Sequence, residues 1–160
     1  MGYSLTIGEL EIDKNYEDGI DCSCLSFGAK GEKHDNAPVF GEPTDFTNQR
    51  WPSYSAWSDC LRDAGMYDLF FYDPGHLIGG HPGVRLLTTE FYEEFTKRKI
   101  AFEAKYPHVE ATYGERDAKD IFHEDLSNPK CNNVYCRIVW MDYWINWAIE
   151  NCETPVFANS

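Results

Sequence analysis

Positive charge is scarce in this chain. Its 14 Lys and Arg stand against 27 Asp and Glu, a formal net charge of −13. Affinity for a polyphosphate or an anionic membrane comes mainly from Lys and Arg that displace counterions, so no direct nucleic-acid binding is expected. Long apolar runs are missing too. None approaches the ~20 residues that a membrane-crossing helix needs, and no membrane partner is expected. Residues 1–13 hold no basic stretch followed by an apolar core, so no secretory signal is expected and the cytoplasm is the default location. Internal repeats and low-complexity tracts are absent.

Catalytic signatures are also lacking. There is no G-x-S-x-G turn for a nucleophilic serine and no H-E-x-x-H zinc helix. Gly79-Gly80-x-Pro82-Gly83 has the glycines of a phosphate-cradling loop but not the lysine or the following Ser/Thr. No cofactor is expected.

What the chain does have is aromatic mass. It is 42% hydrophobic and 16% aromatic, which supplies the apolar surface that offsets ordering entropy. At 160 residues it fits one domain, 1–160, with a loop-rich segment at 14–50. Six cysteines are present, Cys22, Cys24, Cys60, Cys131, Cys136 and Cys152. With no secretory signal, reduced thiols packed as small hydrophobes are expected. Zinc would need Cys22-x-Cys24 with Cys131-x4-Cys136; the first spacing is short for a knuckle and the second is long.

The clearest pattern lies in residues 132–151. Val134, Ile138, Met141, Ile145, Ala148 and Cys152 recur at spacings of four and three, with Trp140, Trp144 and Trp147 beside them. Both sets fall on one side of a 3.6-residue helix. So broad an apolar face predicts a helix largely enclosed by the rest of the fold. Asp142, Asn146 and Glu150 form a polar row on the remainder. The outer two are about 12 Å apart at 1.5 Å rise per residue, too far for a carboxylate pair to flank one bond. The row reads as a solvated face or as a polar strip lining a cleft.

Other elements follow from shorter signals. Residues 3–7 alternate as a half-buried strand should, and Leu10-Glu11-Ile12 extends that strand or returns beside it. Within the glycine- and proline-rich stretch 14–50, short strands are predicted near 21–27 and 38–41. A helix after Pro52 puts Tyr54, Trp57, Leu61 and Ala64 on one face and ends at Gly65. Leu69-Phe70-Phe71-Tyr72 is a strand or a buried turn, and 76–83 is loop. A second helix opens at Thr88 or Thr89, lines one side with Phe91, Phe95, Phe102 and Tyr106, and stops at Pro107. A short helix is predicted over 117–126. The fold class is α+β: mostly helical, about four helices with a few short N-terminal strands.

Several words along the chain combine into a resemblance: Pro52-Ser53-Tyr54-Ser55-Ala56-Trp57, Leu69-Phe70-Phe71, His81-Pro82-Gly83, the Trp-rich helix running into Glu150-Asn151-Cys152-Glu153-Thr154-Pro155, and Asn159-Ser160. Together they resemble a family of small uncharacterised proteins from bacteriophages and prophages. Residues 50–160 carry the likeness better than 1–12, and 13–49 do not match. The resemblance implies a small protein made in the cytoplasm of an infected host cell, and no residue roles.

Three functions of different classes follow. The leading expectation is a non-enzymatic counter-defence protein that sequesters a small nucleotide-type signal. Trp51, Tyr54, Trp57 and Tyr143 would stack on the base, Asn146 and Glu150 would read its edge, and His81 and Arg85 beside the glycine loop would meet phosphate. Arg50, Arg62 and Arg137 are further cations for a locally basic pocket. The second is an acidic inhibitor that imitates nucleic acid and binds a basic host protein. The third is a metal-dependent hydrolase built on Asp73, His76 and His81; a loop turn that satisfies backbone groups explains the same histidines, so no metal ligand is assigned. A homo-oligomer is compatible with all three.

Overall fold

The computed structural model of the chain describes residues 3–12, 27–34, 36–38, 48–51, 54–71, 76–78, 83–107 and 133–159. In chain order the elements are β1 (Tyr3–Ile12), β2 (Phe27–Lys30), β3 (Asn48–Trp51), α1 (Tyr54–Asp63), α2 (Tyr67–Phe71), β4 (His76–Ile78), β5 (Gly83–Leu86), α3 (Thr89–Lys105), α4 (Asn133–Asn151) and β6 (Pro155–Asn159). The fold is α+β.

The six strands form one sheet in the order β2-β1-β6-β5-β4, with β3 also paired to β1. Every pairing is antiparallel. One edge of β1 is shared: β3 pairs along Tyr3–Thr6 and β2 along Glu9–Ile12. The opposite edge takes β6, with Ile7 facing Phe157. On its far side β6 pairs with β5, where Arg85 faces Phe157. The first and last strands therefore lie side by side within the sheet.

Strand alternation sorts side chains onto two faces. Leu5, Ile7 and Phe157 join one buried cluster with residues of all four helices. Val84, Val156 and Ala158 form a second cluster on the other face, with Leu10, Ala29 and Leu86 packed against it. α4 lies over β1 and β6, and α1 and α3 pack against α4. Phe70 of α2 joins the layers, its ring 5.3 Å from Phe91 on α3 and 4.9 Å from Phe157 on β6. The expected interior helix is real: Trp140 and Trp144 on α4 are both 0% exposed.

Capping follows local chemistry. Thr88 Oγ1 accepts from the Phe91 amide at 3.1 Å and opens α3. After α1, Gly65 takes φ +69°, and its amide donates to Arg62 O while Met66 donates to Leu61 O. That pair of bonds is a Schellman ending, with fully buried Leu61 and Met66 supplying its apolar contact.

Two expectations need correction. Leu69-Phe70-Phe71 belongs to helix α2, because four apolar residues in a row carry no period that tells helix from strand. Residues 76–78 and 83–86 are paired strands, not loop; the glycines and proline of 79–83 disguise a hairpin. In the 14–50 stretch and at its border, described strands stand at 27–30 and 48–51; the strands expected near 21–27 and 38–41 fall almost wholly outside the described residues. The helix expected over 117–126 lies outside the described residues. β6 was not anticipated, since it opens on proline and shows only two or three alternations.

Gly8 and Gly65 are required for different reasons. A Cβ at Gly8 would collide with the Lys30 carbonyl and sit 2.9 Å from the Gly31 nitrogen, where β1 meets β2; at Gly65 it would meet nothing, and only the left-handed backbone objects. Gly65→Ala should cost about 1 kcal/mol. Gly8→Ala should cost more, on the order of 2–3 kcal/mol, because two backbones must separate. Urea unfolding of both variants checks the ranking, and equal losses would refute it.

Candidate functional site

The α4 helix presents its inner stripe to the sheet, which leaves Tyr143, Asn146 and Trp147 half-buried and Glu150 exposed at the margin. Spacings of three and four make these four side chains neighbours on the helix surface. His34 reaches this strip from the segment after β2. The Ala37 amide donates to the His34 carbonyl at 3.3 Å, closing a turn that sets the ring's approach.

The His34 ring is held on three sides. Its centroid lies 4.7 Å from Trp144 at 41°, 5.4 Å from Trp147 at 88° and 6.0 Å from Tyr143 at 84°. Nδ1 and the Tyr143 hydroxyl share a hydrogen bond of 3.0 Å. Nε2 lies 3.8 Å from the Glu32 carboxylate. The walls brace one another edge to face: Trp144 meets Tyr143 at 5.0 Å and Trp147 at 5.3 Å, both at 85°. Such geometry sets the electron-poor ring edge against the electron-rich face. The result is a rigid three-sided aromatic seat at the edge of the core.

Next to the seat, the α3–α4 seam is polar. The Tyr92 hydroxyl donates to Asp142 Oδ1 at 2.8 Å, and Lys99 Nζ donates to Oδ2 at 2.6 Å. The Tyr135 hydroxyl donates to Glu103 Oε1 at 3.3 Å, which lies 3.8 Å from Lys99 Nζ. Burial and the Asp142 carboxylate push the Tyr92 phenol up to about 12. Burial, then Glu103, raises Tyr135. Burial opposes the Lys99 ammonium, but Asp142 and Glu103 override it and the net shift is upward. At neutral pH the tyrosines are protonated and the lysine is charged. The network ties α3 to α4.

The sequence-predicted residues are only partly brought together. Tyr143 and Asn146 line the seat's strip, and Glu150 ends it. Trp51 lies in β3, paired with Tyr3, and Tyr54 and Trp57 lie in the first turns of α1; their side chains are outside the described set. His81 and Asp73 lie outside the described residues, and His76 is placed only as backbone in β4. Arg85 is not displayed beside a loop. It is 5% exposed on β5, with Cζ 4.6 Å from the Phe91 ring centroid. Arg137 is 2% exposed, whereas Arg62 pairs with Asp59 at 2.8 Å and lies over the Tyr67 ring. Arg50 pairs with Ser4 through β3. Cys60 and Cys136 are buried and Cys152 is half-buried, while Cys22, Cys24 and Cys131 are outside the described residues. Among the described residues no three His, Cys, Asp or Glu side chains converge as a metal site would require.

Sequence reasoning missed His34. It sits in a polar, glycine-rich stretch 109 residues from Tyr143, and no local periodicity marks it. Comparisons of the chain with family models, curated proteins and solved structures find no match.

The seam gives a pH prediction. Tyr92 has a raised folded pKa, so its contribution is complete below the ordinary value of 10.0 and is lost as pH rises toward about 12. Tyr135 and Lys99 shift in the same direction and add to the loss. Urea midpoints should therefore fall through this alkaline window. Asp142→Asn should flatten the fall and bring phenolate absorbance in at lower pH. An unchanged phenolate titration in that variant would count against the coupling.

Proposed function

We propose that this protein is a non-enzymatic binding protein of bacteriophage origin that sequesters a small nucleotide-type signal in the host cytoplasm and so blunts a defence. The aromatic strip on α4 carries the reading. Tyr143 and Trp147 are half-buried, so each has a ring edge or face within reach of a ligand yet is held rigid by Trp144. Stacking on such rings is worth roughly 1–3 kcal/mol per base and costs little side-chain entropy when the ring is already fixed. Asn146 lies one helical turn from Glu150, and together they offer amide donors, an amide acceptor and a carboxylate to a base edge. The phage setting rests on the resemblance described above, and the non-enzymatic character on the absence of a catalytic motif from the sequence.

The geometry changes how such a ligand would be held. A guanidinium that is 5% exposed beneath Phe91 is not on offer to a phosphate in solution, so Arg85 leaves the ligand set. Recognition then rests on the base.

Thermal-shift and calorimetric titration with linear and cyclic nucleotides tests the reading. At least one nucleotide should raise the melting temperature. Trp147→Ala should weaken that ligand by about 5- to 150-fold, the equivalent of ~1–3 kcal/mol. If no nucleotide stabilises the wild-type protein or its seat variants, the reading is wrong.

A further inference from the structure

We infer that the ligand of the α4 seat is a purine, and that His34 is an internal stand-in which the purine displaces. This rests on the nucleotide reading above and narrows it. The seat already holds a five-membered ring of two nitrogens and three carbons, closed in by Trp144, Trp147 and Tyr143 at centroid distances of 4.7, 5.4 and 6.0 Å. The five-membered half of a purine is an imidazole of the same size and shape. Its N7 accepts hydrogen bonds in any nucleoside joined through N9. Where His34 Nδ1 now meets the Tyr143 hydroxyl at 3.0 Å, purine N7 would accept from that hydroxyl.

The six-membered half of the purine would extend beyond the imidazole outline along the strip, where Asn146 and Glu150 follow Tyr143 by three and seven residues. A pyrimidine lacks the fused five-membered ring and has no counterpart to N7. The seat therefore discriminates by ring system.

Exchange is feasible because His34 is not part of the sealed core. Its side chain keeps 25% of its exposure, and neighbouring Glu32 keeps 71%. The buried floor, by contrast, is fixed: Trp144 is 0% exposed. An occupied seat lowers apparent affinity by the fraction of time it stands empty. Removing the stand-in should then tighten purine binding.

The experiment titrates adenosine and uridine into wild type, His34→Gly and His34→Phe, followed by calorimetry and tryptophan emission, with free imidazole as a second probe. His34→Gly should bind adenosine at least about ten-fold tighter than wild type, and should prefer it to uridine. It should also bind imidazole, which wild type should not. His34→Phe fills the seat with a ring that cannot be exchanged for a hydrogen-bonded one, and should bind neither. The melting temperatures of all three report that they are folded. If wild type binds a nucleotide but His34→Gly binds adenosine no tighter, the stand-in idea fails and the broader reading survives. If His34→Gly binds uridine as well as adenosine, the purine assignment fails. If no variant binds any nucleoside or nucleotide, both are overturned.

Discussion

β6 lies between β1 and β5, so the sheet is continuous only when residues 155–159 reach residues 5–9 from the other end of the described chain. The junction is reinforced beyond the ladder. Glu9 accepts from the Glu153 and Thr154 amides at 2.7 and 2.8 Å, and the Leu10 amide donates to Thr154 O. A carboxylate holding two amides in the turn before β6 fixes where α4 stops, since only residues 152–154 separate them. The direction of α4 is thus set by the sheet beneath it. With the helix fixed, Trp140 and Trp144 are driven into the core, and the strip of Tyr143, Asn146 and Trp147 falls at its margin. The seat exists because of a strand pairing whose members are about 150 residues apart in sequence. Such long-range closure is slow to form, because the loop entropy must be met before the contacts reward it.

How much of this was legible in the sequence depends on whether the signal was local. α3 and α4 were readable because apolar spacing of three and four over more than a dozen residues overwhelms other interpretations. The end of α1 was readable from Gly65, because the backbone chemistry of a left-handed cap is specific. β6 was not, although its interior residues Val156, Phe157 and Ala158 are all buried. A five-residue strand whose middle three residues are buried on both faces shows no clean alternation, and the leading proline argues against a strand. The hairpin of β4 and β5 was hidden in the same way by glycine. For the site, Tyr143 and Asn146 came from helical spacing, whereas His34 comes from a different segment and only the tertiary fold brings it to them. Arg85 shows the opposite error. Beside a glycine-rich word it suggested a phosphate grip, but strand alternation turns it toward Phe91 and the helices.

The two polar assemblies of α4 lie on neighbouring rows of one helix and differ in kind. The Asp142 carboxylate is satisfied: two donors from α3 meet its two oxygens, and the shifts of Tyr92 and Lys99 favour the protonated form of each. A fully satisfied, partly buried network adds rigidity between helices and leaves no reactive group over. The His34 assembly is held mostly by ring contacts and one hydrogen bond, which are individually modest and replaceable by another ring. That contrast separates scaffold from site better than the identity of the residues does. Asp, Lys and Tyr look like chemistry in a sequence, yet here they brace the helix against which an unremarked histidine sits at the position proposed to exchange.

The charge balance constrains the proposed nucleotide ligand further. With −13 overall and with Arg85 and Arg137 both interior, the molecule repels anions at long range. A nucleotide approaching the seat brings phosphates into that field, and Glu32 and Glu150 stand near the entrance. The ring system must therefore supply the attraction, since a π face and an N7 acceptor are indifferent to the sign of the surrounding charge. The consequence runs through ionic strength. Salt screens the repulsion, so a phosphorylated ligand held by its base should bind more tightly as salt rises, while its nucleoside should be almost insensitive. A basic protein captured by an acidic mimic would show the reverse, because screening then removes the attraction itself. The sign of the salt dependence thus follows from where the binding free energy resides, in the aromatic seat or in the acidic surface around it.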